Sequence, residues 1–179
     1  ILARQGIDVD RSNLALWTGR GAFLLAPVVH RMLERLKSSA KLFCDETRAP
    51  VLDPGRGRTK TGYLWAIARD DRPWGGADPP AVVYLYAPGR GGEHALRHLA
   101  GFAGVLQVDG YTGYNALANP ARAGGAVILA YCWSHFRRQF YDIAKGGNAP
   151  IASQTLARIA QLYAIEDSIR GQPAPQRQA

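Results

Sequence analysis

The chain has 179 residues, of which 47% are hydrophobic and 20% are charged, which fits one globular domain and excludes a disordered charged tail. Its longest apolar runs, Ala22–Val29 and Ala126–Trp133, fall well short of the ~18 residues that a membrane span needs. The 22 Lys+Arg and 14 Asp+Glu leave a formal net charge of +8, which favours a polyanionic partner such as nucleic acid. Two cysteines are too few for a disulfide framework and fit a reducing cytosol.

The first forty residues predict helices. Asp10 and Ser12 are candidate caps for a first apolar pattern, which ends at Gly19 and Gly21. A second pattern with helical spacing follows over Leu24–Leu36. Two short helices separated by glycines are compatible with half of a helix-turn-helix DNA reader and equally with a helical lid over a core.

From residue 41 the apolar spacing changes to that of short strands bounded by Gly, Pro or Asp. Turn-forming residues separate the first three runs and predict antiparallel pairing, whereas helices separate the later ones. The predicted elements are strands at Leu42–Cys44, Tyr63–Ala68 and Ala81–Tyr86, a helix at Glu93–Phe102, a strand at Gly104–Asp109, a helical turn at Tyr111–Leu117, a strand at Gly125–Cys132, and helices at Ser134–Ile143 and Ile151–Ile169.

Three antiparallel strands followed by βα units predict an α/β fold with a mixed sheet and flanking helices. This connectivity is that of ribonuclease-H-like domains, a fold-level analogy that does not by itself assign a function. We divide the chain into an N-terminal helical segment at 1–40, a ribonuclease-H-like core at 41–145, and a part at 146–179 that starts a helical insertion and ends in a disordered tail.

Two aspartates follow predicted strands, Asp45 after the first and Asp109 after the fourth. Reactive groups gather at the carboxyl ends of strands in sheets with βα units. Two carboxylates that converge there suit Mg²⁺, a hard cation that prefers oxygen ligands. Two such ions assist phosphodiester cleavage by activating the attacking oxygen and stabilising the leaving one. Either aspartate taken alone is equally typical of a turn.

Glu166 is a third acid of interest because its neighbours in the last predicted helix are apolar. Ile159, Leu162, Tyr163 and Ile169 share its helical face, so the carboxylate falls within the apolar stripe. A charge in that position is costly unless it is paired or bound to a metal. The Glu166 carboxylate is therefore either a metal ligand or the partner of a salt bridge with Arg170, which is four residues further along the chain.

The segment after the fifth predicted strand combines a Cys-x-x-His motif with cations and rings. Cys132 and His135 supply two ligands where structural zinc needs four, and no orienting acid marks Cys132 as a nucleophile. Arg137 and Arg138 lie among aromatic residues on one predicted helix, a mixture that suits phosphates and splayed bases but also ordinary amphipathic packing. Predicted loops carry further cations, among them Lys60 and Arg90.

Seven short motifs follow one another in order between residues 6 and 170. They are Asp45-Glu46-Thr47, Lys60-Thr61-Gly62-Tyr63-Leu64-Trp65, Val83-Tyr84-x-Tyr86, Arg90-x-x-Glu93-His94, Gly104-x-Leu106-Gln107-x-Asp109-Gly110-Tyr111-x-x-Tyr114, Cys132-Trp133-x-His135-x-Arg137-Arg138-x-Phe140 and Leu162-Tyr163-x-Ile165-Glu166. Taken together, these motifs resemble the transposases of the insertion-sequence-66 group.

The resemblance implies a ribonuclease-H-like DDE transposase that acts on DNA with Mg²⁺ or Mn²⁺. Asp45 and Asp109 match the family's first two catalytic acids and metal ligands, and the Cys132–His135 pair looks like a motif that supports the site. The implied partners are insertion-sequence ends and target DNA, a second copy of the chain, and accessory proteins of the same element. The implied location is the bacterial cytoplasm, at the nucleoid.

The third acid has two candidate positions. In relatives with a helical insertion after the fifth strand, the catalytic glutamate follows that insertion in an Asn-Asn-x-x-Glu-Arg stretch, which this sequence lacks. The acid is therefore either Glu166 or a glutamate beyond Ala179, in which case the chain is an incomplete catalytic core. Two alternative functions stay open: a non-catalytic DNA-binding remnant of a transposase, and a related metal-dependent nuclease.

Overall fold

The computed structural model describes residues 2–178, with side chains from Arg4 onwards. Five strands form one mixed sheet with the order β3-β2-β1-β4-β5. Their bounds are Lys41–Asp53 (β1), Arg58–Arg69 (β2), Ala81–Ala87 (β3), Val105–Val108 (β4) and Ile128–Tyr131 (β5). The first three strands pair antiparallel, and β4 and β5 run parallel to β1. The predicted α/β class with a mixed sheet is confirmed.

Among residues 2–178, five α-helices and three short 3₁₀ helices accompany the sheet. The α-helices are Arg11–Lys37 (α1), Gly92–His98 (α2), Trp133–Lys145 (α3), Pro150–Ile169 (α4) and Ala174–Arg177 (α5), and the 3₁₀ helices are Leu2–Gln5, Arg72–Trp74 and Thr112–Ala118. Within residues 2–178 no helix is long and apolar enough to cross a membrane.

The helix α1 runs without interruption through Gly19, Gly21 and Pro27, so the prediction of two short helices is wrong. Asp10 caps it, since its carboxylate accepts a hydrogen bond of 2.7 Å from the Ser12 backbone N–H. Each glycine in a helix costs only about 1 kcal/mol relative to alanine, which weakens a helix without ending it. No turn therefore divides this segment into a helix-turn-helix reader.

The hydrophobic core lies on one face of the sheet. Alternate residues of the central strands point into it, among them Leu42 and Cys44 of β1, Trp65 of β2 and Leu106 of β4, all less than 5% exposed. The end of α1, the helix α2 and the 3₁₀ helix at Thr112–Ala118 cover this face; their buried residues are Leu36, Ala95, Tyr114 and Leu117.

The strands β1 and β2 are much longer than the apolar runs predicted. They stay paired out to Asp53 and Arg58, where a tight turn joins them. In this outer part β2 is exposed and polar, whereas β1 carries a proline followed only by Val51 and the exposed Leu52, so neither strand shows an apolar run of strand length. Backbone hydrogen bonds between the two strands, rather than burial, hold them extended.

The chain after β5 differs from expectation at both ends. Cys132, rather than Ser134, is the residue that precedes α3 in an extended conformation. Where a disordered tail was expected, Arg177 on α5 donates hydrogen bonds of 3.1 Å to the carbonyl oxygens of Pro73 and Ile169. These contacts join Arg177 to the 3₁₀ helix at Arg72–Trp74 and to the last residue of α4. The division into three segments stays a prediction.

Candidate active site

The parallel pairing of β1 and β4 brings Asp45 and Asp109 together. The last paired residues are Phe43 and Gln107, and the same register carried two residues further sets the two aspartates level with each other. Neighbouring strands lie about 4.8 Å apart, so both carboxylates are within reach of one bound ion. They line a shallow cleft of about 230 Å³.

The position of Asp45 in its strand differs from the prediction. Asp109 directly follows the end of β4, as expected, but Asp45 is inside β1, which continues to Asp53. The pairing of β1 with β4 nevertheless stops at Phe43. The sheet is therefore open on the β4 side at Asp45, and Asp45 lines the cleft together with Asp109.

The backbone holds both carboxylates in place. Asp45 Oδ1 accepts a hydrogen bond of 2.9 Å from the Glu46 N–H, and Asp109 Oδ1 accepts one of 2.8 Å from the Tyr111 N–H. Each bond engages a single oxygen of its carboxylate. An aspartate fixed by a neighbouring backbone N–H loses little further freedom when its other oxygen binds a ligand.

Cys132 and His135 line the same cleft, together with Gln107. Burial raises the pKa of the Cys132 thiol, but hydrogen bonds from His135, Ser134 and Gln107 outweigh it, so the net pKa is lowered. The hydrogen bond to Cys132 raises the pKa of His135, and the charges of Asp45 and Asp109 raise it further. The cleft thus contains the Cys132 thiol, which loses its proton more readily than usual, and the His135 imidazole, which keeps its proton more readily than usual.

Sequence reasoning gave no role to Glu46, which the structure places at the centre of a buried network. Its side chain is 3% exposed and lies 2.9 Å from Arg90 Nη2. Tyr114 Oη donates a hydrogen bond of 2.6 Å to Glu46 Oε2. The Arg90 guanidinium also stacks on the Tyr111 ring at 3.7 Å. The missed signal is strand alternation, because Glu46 shares the core-facing parity of Leu42 and Cys44.

This network fixes the residues that flank both aspartates. Glu46 directly follows Asp45, and Tyr111 is the residue whose N–H binds Asp109. Burial raises the pKa of Glu46, whereas the Tyr114 hydrogen bond and Arg90 oppose that rise. Burial also raises the pKa of Tyr114, so its hydroxyl remains the donor. Arg90 is therefore paired with Glu46 on the side of the fold that carries both aspartates, and its role as a DNA contact stays a prediction.

Glu166 lies elsewhere. Its Oε2 is 2.6 Å from Nη2 of Arg177, so the ion pair expected with Arg170 forms with Arg177 instead. It is not among the residues that line the cleft with Asp45 and Asp109. In the part of the chain from residue 2 to 178, no cluster of three His, Cys, Asp or Glu side chains is arranged to hold a metal ion.

The remaining predicted DNA contacts are surface cations. Arg137 and Arg138 are exposed on α3, and the Arg137 guanidinium is 5.9 Å from the centre of the Tyr141 ring. Lys60 is also exposed, but it lies within β2 and not in a loop. These positions are compatible with phosphate contacts and do not by themselves identify a ligand.

Comparison with known proteins adds a family and three relatives. A family model described as "Transposase IS66 family" matches residues 1–179. Three uncharacterized proteins of Sinorhizobium fredii (strain NBRC 101917 / NGR234) are similar: y4jD is 47% identical over 180 residues, y4qI 44% over 180 residues and y4hP 34% over 187 residues. These matches cover 98–99% of this chain and 33–35% of the relatives, so the chain spans about a third of their length. No solved structure matches.

Proposed function

The chain belongs to the IS66 family of transposases, and on that premise we propose that it forms the part of a DNA-cleaving centre that contributes Asp45 and Asp109. The single observation that carries the proposal is the adjacency of these two carboxylates in neighbouring parallel strands. The proposed reaction is in-line attack on a DNA phosphodiester, first by water and then by the freed 3′ hydroxyl group. The proposed fold class is ribonuclease-H-like, supported by three antiparallel strands followed by two parallel ones.

The donor atoms in the cleft suit a hard divalent cation. Asp45 and Asp109 would hold Mg²⁺ or Mn²⁺ through carboxylate oxygens, the ligands that these ions prefer. When bound, the cation supplies Lewis-acid stabilisation of charge on the phosphate oxygens. Two adjacent carboxylates repel each other without a cation, and that repulsion favours binding.

The protein's own groups set the environment of the reaction. The Glu46–Arg90 pair holds the backbone beside both aspartates, so that their carboxylates keep a fixed separation. His135 faces the two aspartates with a raised pKa and offers a positive charge near the bound phosphate. Arg137 and Arg138 on α3 would bind the flanking DNA backbone.

The third acid requires a separate proposal. For Glu166 to serve, its ion pair with Arg177 would have to break and α4 would have to bring it to the cleft. A glutamate supplied from outside these 179 residues needs neither change. We therefore place the third carboxylate outside this chain, in keeping with relatives about three times as long.

The first test is metal binding by the 179-residue chain. We expect Asp45→Asn and Asp109→Asn each to weaken Mn²⁺ binding, followed by electron paramagnetic resonance, by about tenfold or more, because each removes one anionic ligand. Asp53→Asn is the matched control, since it changes an aspartate of the same strand outside the cleft. Equal Mn²⁺ affinity in all four proteins would rule out the two-aspartate site.

A second candidate function follows from the incomplete set of metal ligands in the cleft. Because no third ligand joins Asp45 and Asp109 among the described residues, the chain fits a DNA-binding unit that does not cleave alone. Plasmid nicking at millimolar Mn²⁺ separates the two functions. Nicking that both aspartate variants abolish supports the catalytic centre, and DNA binding without any nicking supports the non-catalytic unit.

A further inference from the structure

The outer parts of β1 and β2 project beyond the sheet. Residues 49–53 pair with residues 58–62, from Ala49 opposite Gly62 to Asp53 opposite Arg58. The pairing of β2 with β3 begins only at Tyr63, and that of β1 with β4 ends at Phe43. Within the described chain these ten residues therefore form a two-stranded arm, which we call the ribbon.

The ribbon leaves the sheet at the edge that carries the candidate active site. The strands β1 and β4 run in the same direction, and Asp109 follows the end of β4. Beyond Asp45, β1 continues away from that edge into the ribbon. Val51, the partner of Lys60, is six residues beyond Asp45, which is about 20 Å at about 3.3 Å per residue.

Two cations of the ribbon share the face of the sheet that bears Asp45. Asp45 lies opposite Ala66 in the register, and side chains two, four and six residues along a strand stay on one face. Lys60 and Arg58 are six and eight residues before Ala66. Twist turns the ribbon gradually, but both cations start from the same face as the cleft.

The charge of the ribbon and its turn is mostly positive and unpaired. Arg58 and Lys60 are exposed, and neither of them takes part in an ion pair within the described residues. The single acid, Asp53, lies 3.5 Å from Arg56 in the turn. A net positive, solvent-exposed two-stranded arm is complementary to a phosphate backbone.

The base of the ribbon is packed, which makes it a defined arm. A Cβ atom at Gly62 would lie 2.5 Å from Cε2 of Tyr86 and 3.0 Å from Cγ2 of Val51. The Tyr86 ring, from β3, therefore fills the space above Gly62 and braces the ribbon where it leaves the sheet. An arm that is already ordered loses less conformational entropy when it binds a ligand.

We propose that the ribbon is a DNA-binding arm that lies along the major groove of the duplex held at the cleft, with Lys60 and Arg58 on its phosphates. The major groove, about 12 Å wide, admits a two-stranded ribbon. The distance of about 20 Å from Asp45 to Lys60 corresponds to about six base pairs at about 3.4 Å each. This inference rests on the proposed function, because it takes DNA as the substrate of the cleft.

The test compares two double variants of the 179-residue chain on a duplex of arbitrary sequence. We expect Arg58→Ala with Lys60→Ala to weaken binding by about tenfold or more at 0.1 M salt. The slope of log affinity against log salt should fall by about two, since each phosphate contact contributes about one. Arg11→Ala with Arg20→Ala is the matched control, because it removes two exposed cations from α1, on the opposite face.

A charge-preserving variant guards against misfolding as the cause. Arg58→Lys with Lys60→Arg should keep the wild-type affinity and salt slope, because the two charges remain on the same face. Binding by the alanine pair that equals the wild type, or a control pair that loses as much, would overturn the proposal. So would a change of oligomeric state by light scattering with unchanged DNA binding, since the occupant would then be a second copy.

The outcomes separate this inference from the proposed function. If the alanine pair binds DNA normally while the aspartate variants lose Mn²⁺, the inference fails and the proposed cleavage centre stands. If the alanine pair loses DNA while the aspartate variants bind Mn²⁺ like the wild type, the ribbon is a DNA arm and the cleavage centre is wrong.

Discussion

Glu46 Oε1 lies 2.9 Å from Arg90 Nη2, in a pair whose acid is 3% exposed and whose arginine is 39% exposed. Removing the cation would leave a buried carboxylate held by Tyr114 alone. Because this ion pair is half-exposed, breaking it should lower the free energy of unfolding by more than breaking a surface pair and by less than breaking a fully buried one. The Glu46–Arg90 pair thus stabilises the fold at the segments that carry Asp45 and Asp109.

We expect Arg90→Gln to lower the free energy of unfolding by about 1–3 kcal/mol at pH 7, because Glu46 loses its charged partner. Arg31→Gln is the control: Arg31 pairs with Glu34 at 3.0 Å, but both side chains are more than 65% exposed. That variant should change stability by no more than about 0.5 kcal/mol. Urea unfolding measures both, and equal losses would contradict a structural role for the Glu46–Arg90 pair.

From the lowered pKa of His98 we expect the folded protein to lose stability in mild acid. Burial lowers its pKa from 6.5 to about 4, with help from the charge of Arg97. Between these values the unfolded chain binds a proton that the folded chain does not, so stability falls as the pH falls from 6.5 towards 4. The urea midpoint of unfolding should depend less on pH across this range in His98→Gln than in the wild type. In His30→Gln, which changes a histidine exposed on α1, the midpoint should keep the wild-type dependence on pH. Parallel slopes in both variants would refute the assignment.

The two cysteines should differ sharply in reactivity. Cys132 is half-exposed with a lowered pKa, whereas burial raises the pKa of Cys44 to about 12. Because the thiolate is the nucleophile, iodoacetamide should label Cys132 alone in the native protein at pH 8. His135→Gln should move the pH midpoint of labelling upward, since it removes a hydrogen bond that favours the thiolate. Mass spectrometry identifies the labelled residue, and equal labelling of both cysteines would show the cleft to be wrongly described.

A substitution at Gly62 tests whether the Tyr86 ring holds the ribbon in place. Gly62→Ala places a Cβ against the Tyr86 ring and should destabilise the protein by about 1–3 kcal/mol, the usual cost of overpacking. In a Tyr86→Ala background the same substitution should cost much less, because the ring is gone. Thermal unfolding of the four proteins of this cycle gives the coupling energy. Additive effects would mean that Tyr86 does not brace the ribbon.

Local patterns in the sequence located most elements and the two aspartates. Short apolar runs bounded by turn residues predicted all five strands, and β4 ends at Val108, directly before Asp109. The prediction from the sequence was wrong at elements whose bounds are not set by the burial of apolar side chains. The helix α1 passes through Gly19 and Gly21, which the prediction took as a break between two apolar patterns. The ribbon is held by cross-strand hydrogen bonds and has no apolar run of strand length.

The amino-acid sequence by itself determined where the apolar part of each strand lies and that Asp109 follows one of them, because runs of apolar side chains are a local property. Only the tertiary structure decided which strands are neighbours. The pairing of Lys41 with Val105 places β4 beside β1 although two strands, a 3₁₀ helix and α2 separate them in the chain, and this alone sets Asp45 beside Asp109. The partner of Glu46 was decided in the same way, because contacts between distant segments depend on how the whole core packs.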